Sequence, residues 1–467
     1  MSRLLLFLLA ALACASLGPP PAWELAPPPP REGPVVPAGR LHRASLENGL
    51  EIVVLEDPSL PRALLGVVVP RGSADVPAAQ AGLPSYTADL MERGAGERDA
   101  LAFAEAVDAL GATLQAAAGW DSMSVEVAGL SRDLDALAGL LADGVLRPRF
   151  DAEEAARLRS QGLAALERAK DDPDTLAHWH LARVLFPGHP YGLPQDGTPE
   201  TLAAFDAAAA RALHRGFWVP SGAILYAAGD VEHADIERRA RDLFGAWQGE
   251  PAPPAPAPPP APQARRVVIV DRPELAQATI LVGHEGIRRA EPERVAVQLM
   301  NTVLGGGGFS SRIMGRVRED EGLAYYAYSG FGMRRAGGVF LVSTATRGDQ
   351  AGRSLAMLLE ELEGARTRPP SDEEIAHARS LSIGRFGLGL ETSDAVVTGL
   401  VDLDVYGLPR DSLDTYRTRV REAAAADVQQ AARERLHPER AAIVVVGPAA
   451  ALRPQLEPLG PLEVVQP

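Results

Sequence analysis

The sequence predicts an α+β protein built from two homologous domains in tandem, each a mixed sheet layered with helices. Its 467 residues exceed the usual size of one domain. A stretch at 251–262 with eight prolines among twelve residues divides it near the middle. The same order of apolar patterns occurs on both sides of that stretch, which indicates a duplicated unit.

Each half begins with two runs of β-branched and apolar residues, which predict strands, followed by a segment that predicts a helix. The paired runs lie at 50–55 and 63–71, then at 266–271 and 277–284, and the helical segments lie at 77–93 and 291–304.

The correspondence continues towards the end of each half. Acidic residues at Glu153 and Glu154, and again at Glu373 and Glu374, are typical of the first turn of a long helix. Each half then ends with one more apolar run, which predicts a late strand. These runs lie at 223–229 and 441–447.

The remaining boundaries follow from composition. We predict a signal peptide at 1–14, a proline-rich tether at 15–40, an N-terminal domain at 41–250, a proline-rich linker at 251–264 and a C-terminal domain at 265–467. These two domains are called the N-terminal half and the C-terminal half below.

Charge and hydropathy restrict the partners. A formal net charge of −15 and a pI near 5.2 argue against a surface for nucleic acid or anionic membrane. Beyond the N-terminus no segment reaches the roughly 20 apolar residues that a membrane span needs. Any membrane contact is therefore expected at the N-terminus alone.

The N-terminus has the pattern of a secretory signal, with Arg3 before an apolar run. Cys14 stands where a bacterial lipoprotein signal places its acylated cysteine, and cleavage after Ala13 without lipidation is the alternative. Either reading predicts the cell envelope, periplasmic or lipid-anchored. Because Cys14 is the only cysteine, we expect no internal disulfide.

The segment at 304–329 carries the densest set of side chains that a ligand could use. Four glycines allow close approach of another backbone. Phe309, Ile313 and Val317 recur every four residues, which predicts a helix with one apolar stripe. The four glycines are Gly305, Gly306, Gly307 and Gly308.

Gly322 predicts the end of that helix, and residues 323–328 predict a strand. The end of the helix and the start of the strand would bring Arg318 and Tyr325 to one surface. On spacing alone, Arg318 could equally be a solvated cation at a helix end and Tyr325 a half-buried strand residue.

The chain resembles the M16 peptidase family, which includes the mitochondrial processing peptidase and the insulin-degrading enzymes. The resemblance rests on the run from Leu304 to Arg312, on Arg318-Glu319 and on Gly322-Leu323-Ala324-Tyr325. Leu46-Glu47-Asn48-Gly49-Leu50 adds weaker support. The resemblance implies the two-domain α+β fold over nearly the whole mature chain.

Active members of this family carry H-x-x-E-H on the first helix, and a further glutamate ligand follows about 76 residues later. Ser85 and Asp89 stand here in place of the two histidines, and Ala88 replaces the general base. The third position falls on Ala165, and Glu167 lies two residues further along a helix. We therefore expect this chain to bind no zinc.

In the family, the second domain contributes an arginine and a tyrosine to the bound peptide, and the resemblance assigns these roles to Arg318 and Tyr325. It also implies that Gly305–Gly308 and Phe309 contact an extended peptide beside an edge strand. The implied partner is a zinc-bearing M16 subunit. A peptide-binding or scaffold protein without chemistry is the alternative, and a self-sufficient peptidase is a third possibility.

Overall fold

The computed structural model describes residues 33–250, 258–259 and 262–467, and Pro34–Pro467 form one compact unit. The predicted signal peptide at 1–14, with Cys14, and most of the linker at 251–264 lie outside the described residues. None of the described helices combines the length and the apolar character that a membrane span requires.

The N-terminal half forms a six-stranded sheet with the order β1-β2-β6-β3-β5-β4. The strands are β1 (Leu41–Ser45), β2 (Glu51–Glu56), β3 (Arg62–Val69), β4 (Thr113–Ala118), β5 (Met123–Leu130) and β6 (Ile224–Gly229). β2 and β6 are parallel, and β3 is antiparallel to both of its neighbours, so the sheet is mixed.

The C-terminal half forms a second six-stranded sheet with the order β12-β7-β11-β8-β10-β9. Its strands are β7 (Arg266–Asp271), β8 (Gln277–Glu285), β9 (Ala324–Met333), β10 (Gly338–Arg347), β11 (Ala442–Gly447) and β12 (Leu462–Val465).

The two sheets match strand for strand except at one edge. That edge is the antiparallel β1 in the first sheet and the parallel β12 in the second, so opposite ends of the chain fill the same place. The predicted early and late strands agree with the observed ones within two residues. The α+β class with two duplicated mixed sheets is confirmed.

Helices pack against both sheets. In the N-terminal half they are α1 (Leu83–Met91), α2 (Ala100–Asp108), α3 (Leu134–Leu146), α4 (Ala152–Ala169), α5 (Pro173–Leu185), α6 (Pro199–Ala203), α7 (Ala207–Phe217) and α8 (His233–Phe244). The helix expected at 77–93 is shorter, because Gly82 has a φ of +91° and Pro84 occupies the first turn.

The C-terminal half repeats this pattern. Its helices are α9 (Arg294–Asn301), α10 (Arg312–Met314), α11 (Ala351–Thr367), α12 (Asp372–Leu388), α13 (Ser393–Val405), α14 (Ser412–Glu422), α15 (Ala425–Arg435) and α16 (Ala449–Leu456). Ser371 caps α12 by accepting a bond from the Glu374 backbone N–H, and the Glu374 side chain accepts one from the Ser371 N–H.

The inner faces of the two sheets are covered reciprocally. Helix α5 of the N-terminal half packs on the C-terminal sheet, where one buried cluster joins Leu176, Ala177 and Leu181 to Val268, Val270, Leu281 and Val444. Helix α13 of the C-terminal half packs on the N-terminal sheet, where another cluster joins Val396, Val397 and Leu400 to Val53, Leu55, Leu64 and Ile224. Each half thus completes the core of the other.

A buried polar group joins the halves beside these clusters. The Asp121 carboxylate is 2% exposed and accepts bonds from the Tyr191 hydroxyl (3.3 Å), the Tyr406 hydroxyl (3.0 Å) and the Arg335 backbone N–H (3.0 Å). The Ala336 N–H donates to the Tyr191 oxygen at 3.2 Å. A buried carboxylate with this many donors fixes the relative position of the elements that supply them.

The folded body begins before the predicted boundary at residue 41. Val35 and Val36 pack on the cluster under α13, and the Val35 N–H donates to the Asp414 carboxylate at 2.6 Å. The last residues of the predicted tether therefore belong to the compact unit.

Candidate functional site

Helix α1 carries Ser85, Ala88 and Asp89, the positions where the family resemblance implies zinc ligands and a general base. The Ser85 hydroxyl donates to the Gln195 carbonyl at 2.9 Å, and Ala88 is buried against the core. Partial desolvation, with a smaller contribution from the Asp196 carboxylate, raises the pKa of Asp89. The helix thus offers one carboxylate, and the hydroxyl beside it is already bonded.

The third position does not add a ligand. Ala165 lies on the exposed side of α4, and the exposed Glu167 forms an ion pair with Lys170 at 3.0 Å. Zinc sites in proteins use three or four nitrogen, sulfur or carboxylate ligands, and the side chains at these positions do not fit that requirement.

Close contacts within the fold explain why the first three positions of the glycine run in the 304–329 segment carry no side chain. A Cβ on Gly305 would lie 2.5 Å from the Ser329 Oγ and 2.7 Å from its backbone nitrogen. Gly305 is buried, and the backbone that it approaches closely is that of strand β9, which contains Ser329. A Cβ on Gly306 would meet the Asn301 side chain at 2.6 Å. Close packing on neighbouring elements therefore requires these glycines.

Gly307 is the third glycine in close contact, and Gly308 lies outside this tight region. A Cβ on Gly307 would lie 2.6 Å from the Thr302 carbonyl oxygen. Gly308 has a φ of +68° and open space around it, so a turn requires it but packing does not. Contact of the four glycines with a peptide remains a prediction.

The helix predicted after the glycines is broken into short pieces. A π-turn at Thr302–Gly306 extends α9, a 3₁₀ turn at Gly308–Ser310 follows, and α10 leads into a π-turn at Gly315–Asp320. Turns of the π type occur often at functional sites.

The predicted apolar stripe is wrong at its first residue. Ile313 and Val317 are buried, whereas Phe309 is 61% exposed. Ser311 has an extended backbone (φ −87°, ψ 151°) that interrupts the helix between Phe309 and Ile313. The four-residue spacing therefore no longer places Phe309 on the same face.

Two of the three arginines in this segment are held by carboxylates. Arg312 makes a two-pronged contact with Glu374 at 2.6 and 2.8 Å, which lowers the pKa of that carboxyl group. Arg316 contacts Glu360 and Glu361 of α11 at 2.6 and 3.0 Å. These pairs attach the broken helix to α11 and α12.

The third arginine, Arg318, forms no ion pair in the described part of the chain. Its guanidinium carbon lies 4.7 Å from the ring centres of both Phe309 and Tyr325. One guanidinium nitrogen donates to the Tyr325 carbonyl at 2.9 Å. The Tyr325 side chain is 80% exposed, and its hydroxyl has no partner among the described residues.

Phe309, Arg318 and Tyr325 thus form an exposed aromatic–cation–aromatic stack, which we call the Arg318 stack. Three predicted site residues come together in it. The helix end is fixed by Gly322 (φ +62°), whose N–H donates to the Arg318 carbonyl at 3.1 Å. The geometry leaves further guanidinium donors and one phenol facing solvent, which suits the binding of carbonyl or oxyanion groups.

Tyr325 lies on β9, which is the edge strand of its sheet. Tyr326 and Tyr328 follow on the opposite face with their rings stacked at 5.9 Å, and Tyr328 is 44% exposed. These two tyrosines are not among the site residues predicted from the sequence. The Tyr-Tyr-Ala-Tyr run was the available signal, since strand alternation places aromatic rings on both faces.

Helix α12 supplies a second group that the sequence analysis missed. The His377 Nε2 lies 2.7 Å from the Ser310 Oγ, and Arg385 donates to the Gly306 carbonyl at 2.9 Å. With the Arg312–Glu374 pair, these contacts fasten the glycine segment at several points along α12. Their long sequence separation leaves no local signal.

Comparisons with known proteins identify a family of similar sequences. A sequence model of the insulinase family, peptidase family M16, matches residues 51–198, and a model of the peptidase M16 inactive domain matches residues 204–381. An uncharacterized zinc protease of Streptomyces coelicolor is 30% identical over 416 residues, covering 88% of this chain and 90% of that protein.

Solved structures show the same fold. The peptidase M16 inactive domain from Pseudomonas fluorescens aligns with a TM-score of 0.82 and 27% identity, covering 87% of this chain and 98% of that one. A protease from Helicobacter pylori aligns with a TM-score of 0.81 and 18% identity, covering 87% and 99% of the two chains. The second likeness concerns the fold alone.

Proposed function

The chain belongs to the peptidase M16 family, and we propose that it is a non-catalytic subunit of a two-protein zinc peptidase. The observation that carries the proposal is the contrast between α1 and the Arg318 stack. Helix α1 holds Ser85, Ala88 and Asp89 where zinc chemistry would need ligands and a base. In the Arg318 stack, the guanidinium makes one hydrogen bond within the described residues, to the Tyr325 backbone carbonyl, and its other N–H groups remain exposed.

In this proposal the zinc and the general base belong to a partner M16 subunit. The chain contributes binding and charge stabilisation. Arg318 would grip a carbonyl of the peptide with its remaining N–H groups, and the Tyr325 hydroxyl would donate to the oxygen that gains negative charge during attack on the amide. Donors aimed at a developing oxyanion accelerate such reactions strongly, because they are already oriented.

The edge of β9 supplies the place for an extended peptide. Arg318 holds the Tyr325 carbonyl, and the Asn301 side chain donates to the Ser329 carbonyl at 3.1 Å. The strand between these two anchored points is the proposed stretch for main-chain pairing with the substrate. Phe309 and Tyr328 would give apolar contact beside it.

Reconstitution tests the proposal. The mature chain is coexpressed with an H-x-x-E-H family member from the same organism, and peptide cleavage is measured for each protein alone and for the mixture. We expect cleavage only in the mixture and a strong loss with Arg318→Ala. Arg347→Ala serves as the matched control, since Arg347 is an exposed arginine on β10 that pairs with Asp349 at 2.7 Å. Full activity with Arg318→Ala and Tyr325→Phe would overturn the proposal.

A peptide-binding or scaffold role in the cell envelope is the second candidate. The exposed tyrosines on edge strand β9 favour it, because strand pairing and aromatic contact need no catalytic partner. Fluorescence anisotropy with a labelled extended peptide separates the two roles. Binding by the chain alone, with no gain of cleavage in any mixture, would select this second role.

The proposed location is the bacterial cell envelope, with a lipid on Cys14 as the proposed anchor. Metabolic labelling with a fatty acid tests the anchor. Label in the wild-type chain that is lost in Cys14→Ser supports it, whereas an unlabelled protein released into the periplasm supports cleavage after Ala13.

A further inference from the structure

A group of metal-binding side chain types lies outside α1 and the Arg318 stack. His42 lies on β1, Glu56 is the last residue of β2, and His233 is the first residue of α8. One ligand atom from each lies within 4.8 Å of those from the other two. Across residues 33–250, 258–259 and 262–467, no other group of three such side chains meets this distance.

Glu56 organises the group, because each of its oxygens faces one histidine. The His233 Nδ1 lies 2.8 Å from Oε1, and the His42 Nε2 lies 3.6 Å from Oε2. The two imidazole rings stack with centres 3.8 Å apart and planes 7° from parallel. Residues separated by 191 positions in the sequence are thus brought together at the open edge of the first sheet.

The backbone holds these side chains in place without help from a ligand. β1 and β2 pair in antiparallel register, with His42 opposite Val54. The His233 backbone N–H donates to the Glu56 Oε1 at 2.8 Å, which ties the start of α8 to the end of β2. A site on fixed strands and a helix start loses little conformational entropy when an ion binds.

The donor types select the ion. Two imidazoles and one carboxylate form a set that zinc uses, with water completing four-coordination. Hard cations such as Mg²⁺ prefer oxygen ligands, so a site with two nitrogen donors disfavours them. The side chains of His42, Glu56 and His233 are 27%, 28% and 43% exposed, which gives an ion access from solvent.

Binding needs two small changes. The His42 Nε2 lies 3.0 Å from the Gly39 carbonyl oxygen, to which it donates, and it must give up that bond and its proton. The second change concerns the rings. Because the two imidazole rings are nearly parallel, the nitrogen lone pairs in their ring planes point along parallel lines. One ion cannot bind both nitrogens until one ring rotates. His233 is the more exposed of the two histidines and has room to turn. The metal bond then replaces the hydrogen bond from its ring to Glu56.

We propose that His42, Glu56 and His233 bind one divalent transition metal ion of the Zn²⁺ type, which fastens edge strand β1 to β2 and α8. The site is structural, and it is independent of the proposed partner and of peptide cleavage. It departs from the expectation, based on the positions of α1 and Ala165, that the chain binds no zinc. The bound ion should stabilise mainly β1 and its neighbours, because β1 is a five-residue edge strand next to the start of the folded body.

Isothermal titration of the mature, untagged and chelator-treated chain with ZnCl₂ tests the site, with MgCl₂ as the comparison ion. We expect one Zn²⁺ per chain, no measurable Mg²⁺ binding, and a rise in melting temperature with Zn²⁺. His42→Ala and His233→Ala should each weaken Zn²⁺ binding at least tenfold. His178→Ala is the matched control, because His178 is an exposed histidine bonded to the Asp174 carbonyl at 2.8 Å.

Glu56→Gln keeps the shape of the side chain and loses its charge, so it decides the result if a histidine variant fails to fold. We expect it to weaken Zn²⁺ binding at least tenfold as well. Wild-type Zn²⁺ affinity in the folded His42→Ala/His233→Ala double variant, or in Glu56→Gln when the histidine variants do not fold, would overturn the proposal. Equal affinity for Mg²⁺, or no binding of Zn²⁺ at submillimolar concentration, would overturn it too.

Discussion

Helix α1 and the segment from α9 to β9 occupy equivalent places in two copies of one fold, following β3 and β8, yet they are built in different ways. Helix α1 is one continuous helix. The second segment passes through two π-turns and a 3₁₀ turn before it reaches β9. A continuous helix bonds its own backbone, whereas the broken one needs support from α11, α12 and β9.

The two regions also differ in how their polar groups are used. At α1, Ser85 is bonded within the half, and Ala88 contributes only to the core. In the second segment, Arg312 and Arg316 are paired, but the Arg318 stack is left facing solvent. The two copies of one fold thus differ in their polar groups: the Ser85 hydroxyl at α1 is bonded within the fold, whereas the Arg318 stack keeps a guanidinium and a phenol facing solvent.

The largest expected effect concerns the reconstituted peptidase. Tyr325→Phe should lower kcat by about 10²–10³, the usual cost of removing one oxyanion donor. Ser85→Ala, at a position where the family resemblance implies a zinc ligand, should leave kcat within about twofold because that hydroxyl bonds only to Gln195 in the described structure. Steady-state kinetics of the mixture measures both variants, and equal losses would erase the contrast between the halves.

Glycine substitutions test whether both regions depend on close packing. Gly82→Ala should lower the free energy of unfolding by about 3 kcal/mol, because Gly82 has a φ of +91° and its Cβ would lie 2.7 Å from the Asp196 carbonyl oxygen. Gly305→Ala should cost about 2 kcal/mol by overpacking against Ser329, and Gly308→Ala about 1 kcal/mol.

Denaturant unfolding measures these three values. A neutral Gly305→Ala would show that packing does not require that glycine and would strengthen a ligand-binding reason for it. Gly308→Ala serves as the control in the same segment, since open space surrounds it.

Each half also holds a desolvated histidine, half-buried at His214 and fully buried at His284, which predicts acid sensitivity. Burial lowers the pKa of His214 to about 4 and that of His284 to about 3. The stability they provide is complete above the unfolded pKa of about 6.5 and is lost as the pH falls below it. Between pH 7 and pH 5 each should cost about 2 kcal/mol of unfolding free energy.

The measurement compares pH dependences of unfolding. His284→Gln and His214→Gln should each reduce the loss of unfolding free energy between pH 7 and pH 5 by about 2 kcal/mol. His178→Gln, at an exposed histidine, should leave that loss unchanged. Desolvated carboxyl groups such as Asp75, whose pKa is raised, oppose the trend, so differences between variants are the informative quantity. An unchanged slope in His284→Gln would contradict the lowering of the His284 pKa by burial.

The smallest expected effect is on the stability contributed by the Arg318 stack. Phe309→Leu should change the free energy of unfolding by no more than about 1 kcal/mol, since exposed cation–π contacts contribute about that much. Denaturant unfolding measures it. A loss of several kcal/mol would show that the stack is a structural element and would remove the contrast with α1.

The sheets could be predicted because their information is local. Runs such as Val267-Val268-Ile269-Val270 are apolar on both faces of a strand, and both faces proved to be buried. The duplication then gave the order of the elements. Which helix covers the inner face of each sheet could not be predicted, because the apolar side of α5 does not specify the sheet that receives it.

The sequence predicted which residues belong to the candidate site better than it predicted how they are arranged. Arg318 and Tyr325 come together as expected, because Gly322 ends the helix where the pattern indicated. Phe309 was misplaced, because a periodic pattern assumes a continuous helix and Ser311 breaks it. The supports from His377 and Arg385 depend on long-range contacts that periodicity cannot report.

The reciprocal placement of α5 and α13 is the arrangement of a domain-swapped dimer whose two copies have been joined into one polypeptide. Each half lends a helix and receives one. Cutting the chain in the linker at 251–264 should therefore give two fragments that are insoluble when made separately and that reassociate when made together. The linker then acts as a covalent tie between interlocked parts rather than as a hinge between independent ones.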